Sequence, residues 1–457
     1  MNNDLITQRL IAHIVDTHYV KLPDTATRAA RVFILDSLGV ALSGTRVPLV
    51  DDLKSVASGW GQGDAARIWG SGERVPVVTA AFVNGYQIHN QEWDCVHEPA
   101  VVHPMAVVLS TLIAWAEARG GIDGRKLITA CSVAVDVAAG IGVAARNKLR
   151  FFRPAMCGAL GATAGLANLL ELDATTTRSA LGLAYSQLSG TMQAHVEGSA
   201  VLPMQIGFNT RAALLAIDLA TRGIEGPKHF LEGPFGYFSL IDPEWDPRSF
   251  DHFGERPAIA DISHKPFPSG RATHGGVDGL LSLQARHGFT AAQLEQATVH
   301  APALVVQLVD RPAEPHMSPA YARLCLPYVA ATALLSGDVD VLDFEPTALQ
   351  RVEHLALAKK IRVVRDDNPS LNALAPQRVS VKLVDGQEHS IDLPAVLGAP
   401  GRPLDHARHI AKFRRAAASA RYAMPPAQID SIIELVEDLP DLADIRVLVD
   451  AISPRST

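Results

Sequence analysis

Residues 26–42 read A-T-R-A-A-R-V-F-I-L-D-S-L-G-V-A-L, and their spacing decides the fold class. Ala29, Val32, Phe33, Leu35, Leu38 and Val40 fall broadly on one side of a 3.6-residue period, with Arg28, Arg31 and Asp36 elsewhere, which predicts a helix with one buried face. Further along, residues 130–145 and 158–170 are almost unbroken runs of small residues with Val and Leu. Small side chains let helix axes approach closely, so a compact bundle with buried central helices is expected. From residue 5 to about residue 241, almost nothing alternates with the period of two that marks a half-buried strand. The chain is therefore expected to be mainly α.

The texture changes after Pro266-Phe267-Pro268. Residues 297–310 and 360–365 carry short Val-rich, strand-like runs. Residues 378–393 read as a hairpin: Val379, Val381 and Leu383 alternate with polar neighbours, Asp385-Gly386 is a two-residue turn signal, and Ile391 and Leu393 resume the alternation. A smaller α+β domain is expected over residues 270–400. Beyond residue 402 the pattern returns to helix. Arg408, Lys412, Arg414, Arg415 and Arg421 there read as a solvated face, and residues 435–449 as a segment packing back onto the first domain.

The 457 residues allow two or three domains at about 150 each. With 48% hydrophobic and 19% charged residues, disorder is excluded as the main state. Lys plus Arg number 41 against 48 Asp plus Glu, a net charge of −7, which argues against a nucleic-acid partner. Cys95, Cys131, Cys157 and Cys325 are too dispersed for a disulfide framework and suggest a reducing compartment. They form no ligand-like cluster either, so no metal is expected. Residues 1–10 lack the charged-then-apolar order of a signal peptide, so the mature protein is expected to start at Met1. A membrane helix needs about 20 apolar residues in a row. Residues 75–83 are too short and residues 132–145 are interrupted by Asp136, so both read as buried helices of a soluble, cytoplasmic protein with no membrane partner.

Two clusters carry chemistry. Residues 90–105, N-Q-E-W-D-C-V-H-E-P-A-V-V-H-P-M, gather Glu92, Asp94, His97, Glu98 and His103, and Pro99 and Pro104 divide them into a loop and a helix start. Residues 264–278, H-K-P-F-P-S-G-R-A-T-H-G-G-V-D, combine Lys265, Arg271 and His274 with glycines that let backbone approach a ligand. Arg holds a carboxylate bidentately and Lys adds a point charge, so this loop suits a di- or tricarboxylate. Arg153 and Cys157 precede the small-residue run, where free helix N–H groups attract an anion. Tyr328 sits in an apolar helical pattern that also suits plain core packing. His195, Glu197 and Gln205 flank Leu202-Pro203-Met204, as pocket wall or as packing. The signatures of serine hydrolases, zinc proteases, P-loop enzymes and Rossmann dehydrogenases are missing.

Taken in order, these segments resemble the MmgE/PrpD family, which includes 2-methylcitrate dehydratase, cis-aconitate decarboxylase and iminodisuccinate epimerase. The resemblance rests on I-L-D-S-L-G-V-A-L-S-G at residues 34–44, A-A-F-V-N-G-Y at 80–86, the loop 94–104 ending in His-Pro, C-G-A-L-G-A-T-A-G-L-A at 157–167, K-P-F-P-S-G-R-A-T-H at 265–274 and L-P-Y-V-A-A at 326–331. It implies a large all-helical domain formed by residues 1–269 and 401–457, with the α+β domain of residues 270–400 inserted. It also implies a homodimer and a cofactor-independent site in the cleft between the domains. By motif position it makes Asp94, His103, Lys265, His274 and Tyr328 catalytic. The residue chemistry adds His97, Arg153, Gln205 and Arg271 as substrate-binding groups. Arg153 and Gln205 replace the His and Lys usual in dehydratase and decarboxylase members, exchanging a titratable group for a permanent cation and a charge for an amide. The activity expected is that of a hydro-lyase eliminating water from a di- or tricarboxylate. An epimerase of an amino- or imino-dicarboxylate is the alternative, and a non-catalytic carboxylate binder the third reading.

Overall fold

Residues 26–42 lie within one helix, Asp24–Gly44, in the computed structural model, which describes residues 5–453. Residues 1–4 and 454–457, including the expected start at Met1 and the two ends of the expected helical domain, lie outside them. The helix is amphipathic only in its first half, and from Phe33 to its end every residue is buried. Asp36, placed off the apolar side by its spacing, is buried because Lys412 meets it at 2.6 Å. Lys412 is thus the exception on the C-terminal helix His406–Ala418, otherwise basic on its exposed side.

The two small-residue runs form the helices Gly124–Ala144 and Arg153–Leu169. A methyl group on Gly161 would lie 2.5 Å from the Ala134 carbonyl oxygen, and one on Gly165 2.9 Å from that of Ala130. Backbone therefore packs on backbone, the close approach that glycine permits. Gly124–Ala144 is long and apolar enough to cross a membrane by composition, yet 89% of its most apolar window is buried within the molecule. Asp136 causes no break in it: its carboxylate accepts from the Ala258 amide at 2.6 Å and meets His13 Nε2 at 3.0 Å.

One apolar core gathers helices from Leu5–Asp16 onward and closes with His406–Ala418, Pro426–Glu437 and Arg446–Ile452. Phe413 lies against Gly39 there, where no Cβ would fit. A second core, running from Phe267 to Leu393 with Leu149 added, surrounds a four-stranded sheet. Its order is Ile361–Arg365, Leu294–Ala301, Gln377–Leu383, Glu388–Leu393. The first pair is parallel and the others antiparallel. The molecule is thus mainly helical with a small mixed sheet.

The expected hairpin is present, with Val379 opposite Ile391. Its turn is one residue longer than expected: the Leu383 amide bonds the Gln387 carbonyl at 2.8 Å, and Gly386 lies between them at φ 86°. A left-handed glycine closing a three-residue connection matches the right-handed twist of the strands.

Candidate functional site

His89 ends the helix Val77–His89, and the next helix, Pro104–Arg119, starts at the proline the sequence marks. The loop between them is pinned by two bridges, Val96 to Ser263 and His97 to Val102. The first ties it to the segment carrying Lys265. His103 immediately precedes Pro104, whose ring restricts the residue before it and so aims this histidine. Glu92 takes a left-handed backbone, φ 53°. That turn lets one residue offer two oxygens to one ammonium: Lys265 Nζ donates to the Glu92 carbonyl at 3.0 Å and to its Oε2 at 2.9 Å.

Asp94 sits at the centre, fully buried. Its two carboxylate oxygens are each 3.0 Å from His89 Nδ1. Oδ2 lies 3.3 Å from His103 Nδ1, and Oδ1 lies 3.7 Å from Lys265 Nζ. The His103 contact is close enough for an ion pair but too poorly aligned for a full hydrogen bond. The two imidazoles meet edge to face at 4.9 Å. Burial opposes the charge on Asp94, but His89, His103 and Lys265 hold its carboxyl well below the usual range. The same contest brings Glu92 down to about 2, with Lys265 the main counterweight to burial. His89 is shifted up: burial opposes its charge, and Asp94 and Glu92 more than reverse that. His103 is shifted down by burial and then by Lys265, so it is neutral where His89 is charged. A carboxylate bracketed by one imidazole shifted up and one shifted down is equipped to move a proton.

This cluster borders a cavity of about 70 Å³. His89, Glu92, His103, Arg153, His195 and Arg271 form its polar parts, and Leu149, Phe152, Leu202, Leu308, Val309 and Leu374 belong to its apolar walls. Asp94 and Lys265 stand directly behind Glu92 and the histidines. The structure thus brings together Asp94, His103 and Lys265.

Others among the expected residues are employed differently. Tyr328 is in the second core, not on the cavity: its hydroxyl donates to the Asp343 carbonyl at 2.8 Å, and it packs near Phe344. His274, fully buried, contacts the Ser269 carbonyl at 3.2 Å and meets the Phe267 ring edge to face, so it braces the Lys265 loop rather than facing the cavity. His97 accepts the Ala100 amide at 3.3 Å and closes its own loop. Arg271 touches the cavity but is committed. It donates to Glu98 Oε1 at 2.9 Å through Nε, to the Leu397 carbonyl at 2.7 Å and to the Val396 carbonyl at 3.2 Å. Arg153 also lines the cavity, and it faces Asp242 at 3.3 Å. It is the first residue of its helix, which places Cys157 inside the helix. There Cys157 is buried beside the Tyr237 hydroxyl, with its thiol pushed up to about 12. Gln205 receives the Thr191 amide at 2.6 Å, and Leu202, one turn earlier, is the residue on the cavity wall.

Three groups went unassigned in the sequence. His89 lies in an apolar helix where nothing local distinguishes it. Arg323 is buried, and its guanidinium has no hydrogen-bond or ion-pair partner among the described residues. Burial lowers it to about 10, Glu92 and Tyr86 being the charges that act back on it. Arg311 lies across from His195. Their signal is spatial, since residues 89, 195, 311 and 323 belong to four separate elements.

Two buried groups have ligand atoms that converge within 4.8 Å: His89, Asp94 and His103, and Asp36, His264 and His409. In each, a lysine ammonium already faces the carboxylate. A divalent ion there would meet that charge at close range, so both sets suit proton sharing better than metal binding.

The MmgE/PrpD N-terminal domain profile matches residues 8–249 and the MmgE/PrpD C-terminal domain profile residues 267–439. Cis-aconitate decarboxylase of Mus musculus is 30% identical over 446 residues, covering 93% of this chain and 89% of that protein. The Homo sapiens cis-aconitate decarboxylase is 29% identical over 445 residues, with 93% and 90% covered. That of Aspergillus terreus is 26% identical over 459 residues, with 94% and 92% covered. With both profiles matched in order and relatives aligned over nearly their whole length, the chain belongs to the MmgE/PrpD family.

Proposed function

We propose that the chain is an acid–base lyase of a di- or tricarboxylate, and that its reaction is decarboxylation of cis-aconitate or a close analogue rather than the dehydration expected from sequence. The site lies where the helical domain, residues 1–269 and 401–457, meets the α+β domain, residues 270–400. One observation carries the reading: a buried imidazole–carboxylate–ammonium cluster borders a cavity that Arg153, His195 and Arg271 also line and whose remaining walls are largely apolar. A carboxylate held against Leu149, Phe152 and Leu374 is poorly solvated, and it sheds that penalty as its electron pair passes to the carbon skeleton and neutral CO₂ leaves. The relatives' cis-aconitate decarboxylase activity supports the same choice.

In the step proposed, the bond from the allylic carbon to its carboxyl group breaks and CO₂ leaves. The electron pair forms a new double bond, and the old π pair takes a proton at its far carbon. His103 delivers that proton after taking it up from solvent, with Asp94 stabilising the imidazolium so formed and His89 holding Asp94 in place. Lys265 and Arg323 supply positive potential for the carboxylates that remain. Arg153, paired with Asp242, contributes shape and dipole more than free charge.

Proton NMR tests this directly. Purified protein with cis-aconitate should yield a new terminal-alkene product with one equivalent of CO₂. A folded protein that leaves cis-aconitate untouched but turns a hydroxylated di- or tricarboxylate into an alkene would establish the dehydratase instead. Light scattering tests the homodimer kept as part of this reading.

A further inference from the structure

His195 lies on the short helix Gln193–Glu197 and lines the cavity from the side opposite in sequence to the acid–base loop. It is 5% exposed. Arg311, just beyond the helix Ala303–Val309, reaches across to it: Nη1 donates to the His195 carbonyl at 3.2 Å, and Nη2 lies 3.3 Å from His195 Nδ1. A guanidinium has only donors, so Nδ1 must be the acceptor in this contact. A neutral imidazole accepting at Nδ1 carries its one proton on Nε2. That Nε2 is buried and has no hydrogen-bond partner in the protein.

Arg311 is itself well held. Its guanidinium lies 4.9 Å over the Tyr321 ring and donates to the Leu308 carbonyl at 3.2 Å. No carboxylate is paired with it among the described residues. The arrangement therefore leaves one buried N–H unmatched at a cavity wall, and an unmatched buried donor carries an uncompensated desolvation cost. Such a group is explained when a ligand oxygen completes it.

We propose that Arg311 fixes His195 as the Nε2–H tautomer, so that a neutral N–H donor faces the cavity and binds a carboxylate or enolate oxygen of the substrate. His195 is then a binding group that touches substrate, and Arg311 a positioning residue acting through it. Burial and the Arg311 charge push the imidazole down to about 4, with Glu92 alone acting the other way, so the donor stays neutral at pH 7. A neutral donor strengthens as negative charge grows on the oxygen, without binding the ground-state anion as tightly as a cation would.

The inference rests on the cavity being the substrate site, and the experiment separates the two. Nitrogen-15 NMR of the resting protein, with the His195→Gln variant to assign the signal, should show a neutral Nε2–H tautomer from pH 6 to 8. Arg311→Met should shift the population toward Nδ1–H. With cis-aconitate as probe, His195→Phe should lower kcat by about 10²-fold, and His195→Gln, which keeps an amide donor, should recover most of that loss. An Nδ1–H tautomer, an imidazolium at pH 7, or a His195→Phe variant as active as the parent overturns the inference. The expected tautomer in a protein that never converts cis-aconitate overturns the reaction proposed above and leaves this assignment standing.

Discussion

The molecule contains two buried clusters made of the same parts, one lysine, one aspartate and two histidines. In the first, His89 and His103 line the cavity, with Asp94 and Lys265 behind them. In the second, Lys412 holds Asp36 at 2.6 Å and donates to the Trp93 carbonyl at 3.0 Å, while His264 and His409 meet at 3.2 Å. Trp93 and His264 are the chain neighbours of Asp94 and Lys265, so the second cluster grips the two loops that carry the first. Their electrostatics differ at the aspartate and at one imidazole: Asp94 is held low where burial raises Asp36, and His103 is shifted down like the second pair while His89 is not. His89 sees two carboxylates and is shifted up, whereas His409 is shifted down to about 4 by burial and Lys412, and His264 well below its usual value by burial, Lys412 and His409. Composition alone therefore does not make a reactive site; adjacent space and the order of charges around each imidazole do.

The comparison breaks most visibly at the lysines. Lys265→Met should reduce turnover of cis-aconitate per folded molecule by about 10³-fold or more. Lys412→Met should leave kcat per folded molecule within about tenfold, although each variant strands a buried carboxylate and should cost about 3–5 kcal/mol in urea denaturation. Equal losses of kcat per folded molecule in the two variants would mean that the clusters are not distinct in role.

The pH dependence of stability sharpens the same contrast. Groups with depressed values, such as His264 and His409, bind protons more readily in the unfolded chain. They should make stability fall as pH drops from about 6.5 toward 4, by about 1.4 kcal/mol per pH unit for each such histidine. His89 works the other way: its stabilisation is full below about 6.5 and is lost as pH rises through its raised folded value. Denaturation of His409→Gln should show a shallower acid limb than the parent, and His89→Gln a shallower alkaline one. Smallest of all, Tyr328→Phe should lose about 1 kcal/mol for its hydrogen bond to the Asp343 carbonyl, with kcat unaltered.

Much of the fold was legible because its signals are local. The period of residues 26–42, the small-residue runs, the helix start at Pro104 and the 378–393 hairpin each follow from neighbours in sequence. Asp94, His103 and Lys265 were legible because they sit in dense polar segments with family-like motifs. Arg271 and His274 belong to one of those segments too, yet what each does depends on Glu98, Ser269 and the 396–397 carbonyls, partners set by tertiary structure. His89, Arg311 and Arg323 were illegible for the converse reason: each stands alone in an ordinary stretch and gains meaning only from what faces it. Lys412 misled because a basic run usually meets water, and only the fold supplies Asp36.

The backbone-to-backbone seam at Gly161 and Gly165 has a bearing on how this scaffold diversifies. The helix that begins with Arg153 is seated without slack, and even one added carbon along that seam would meet a carbonyl. Rearranging the frame is thus a poor route to new chemistry. Leu149, Leu202, Leu308 and Leu374, contributed by separate segments around the cavity, are the positions where descendants of this protein can exchange one acid for another while the frame stands still.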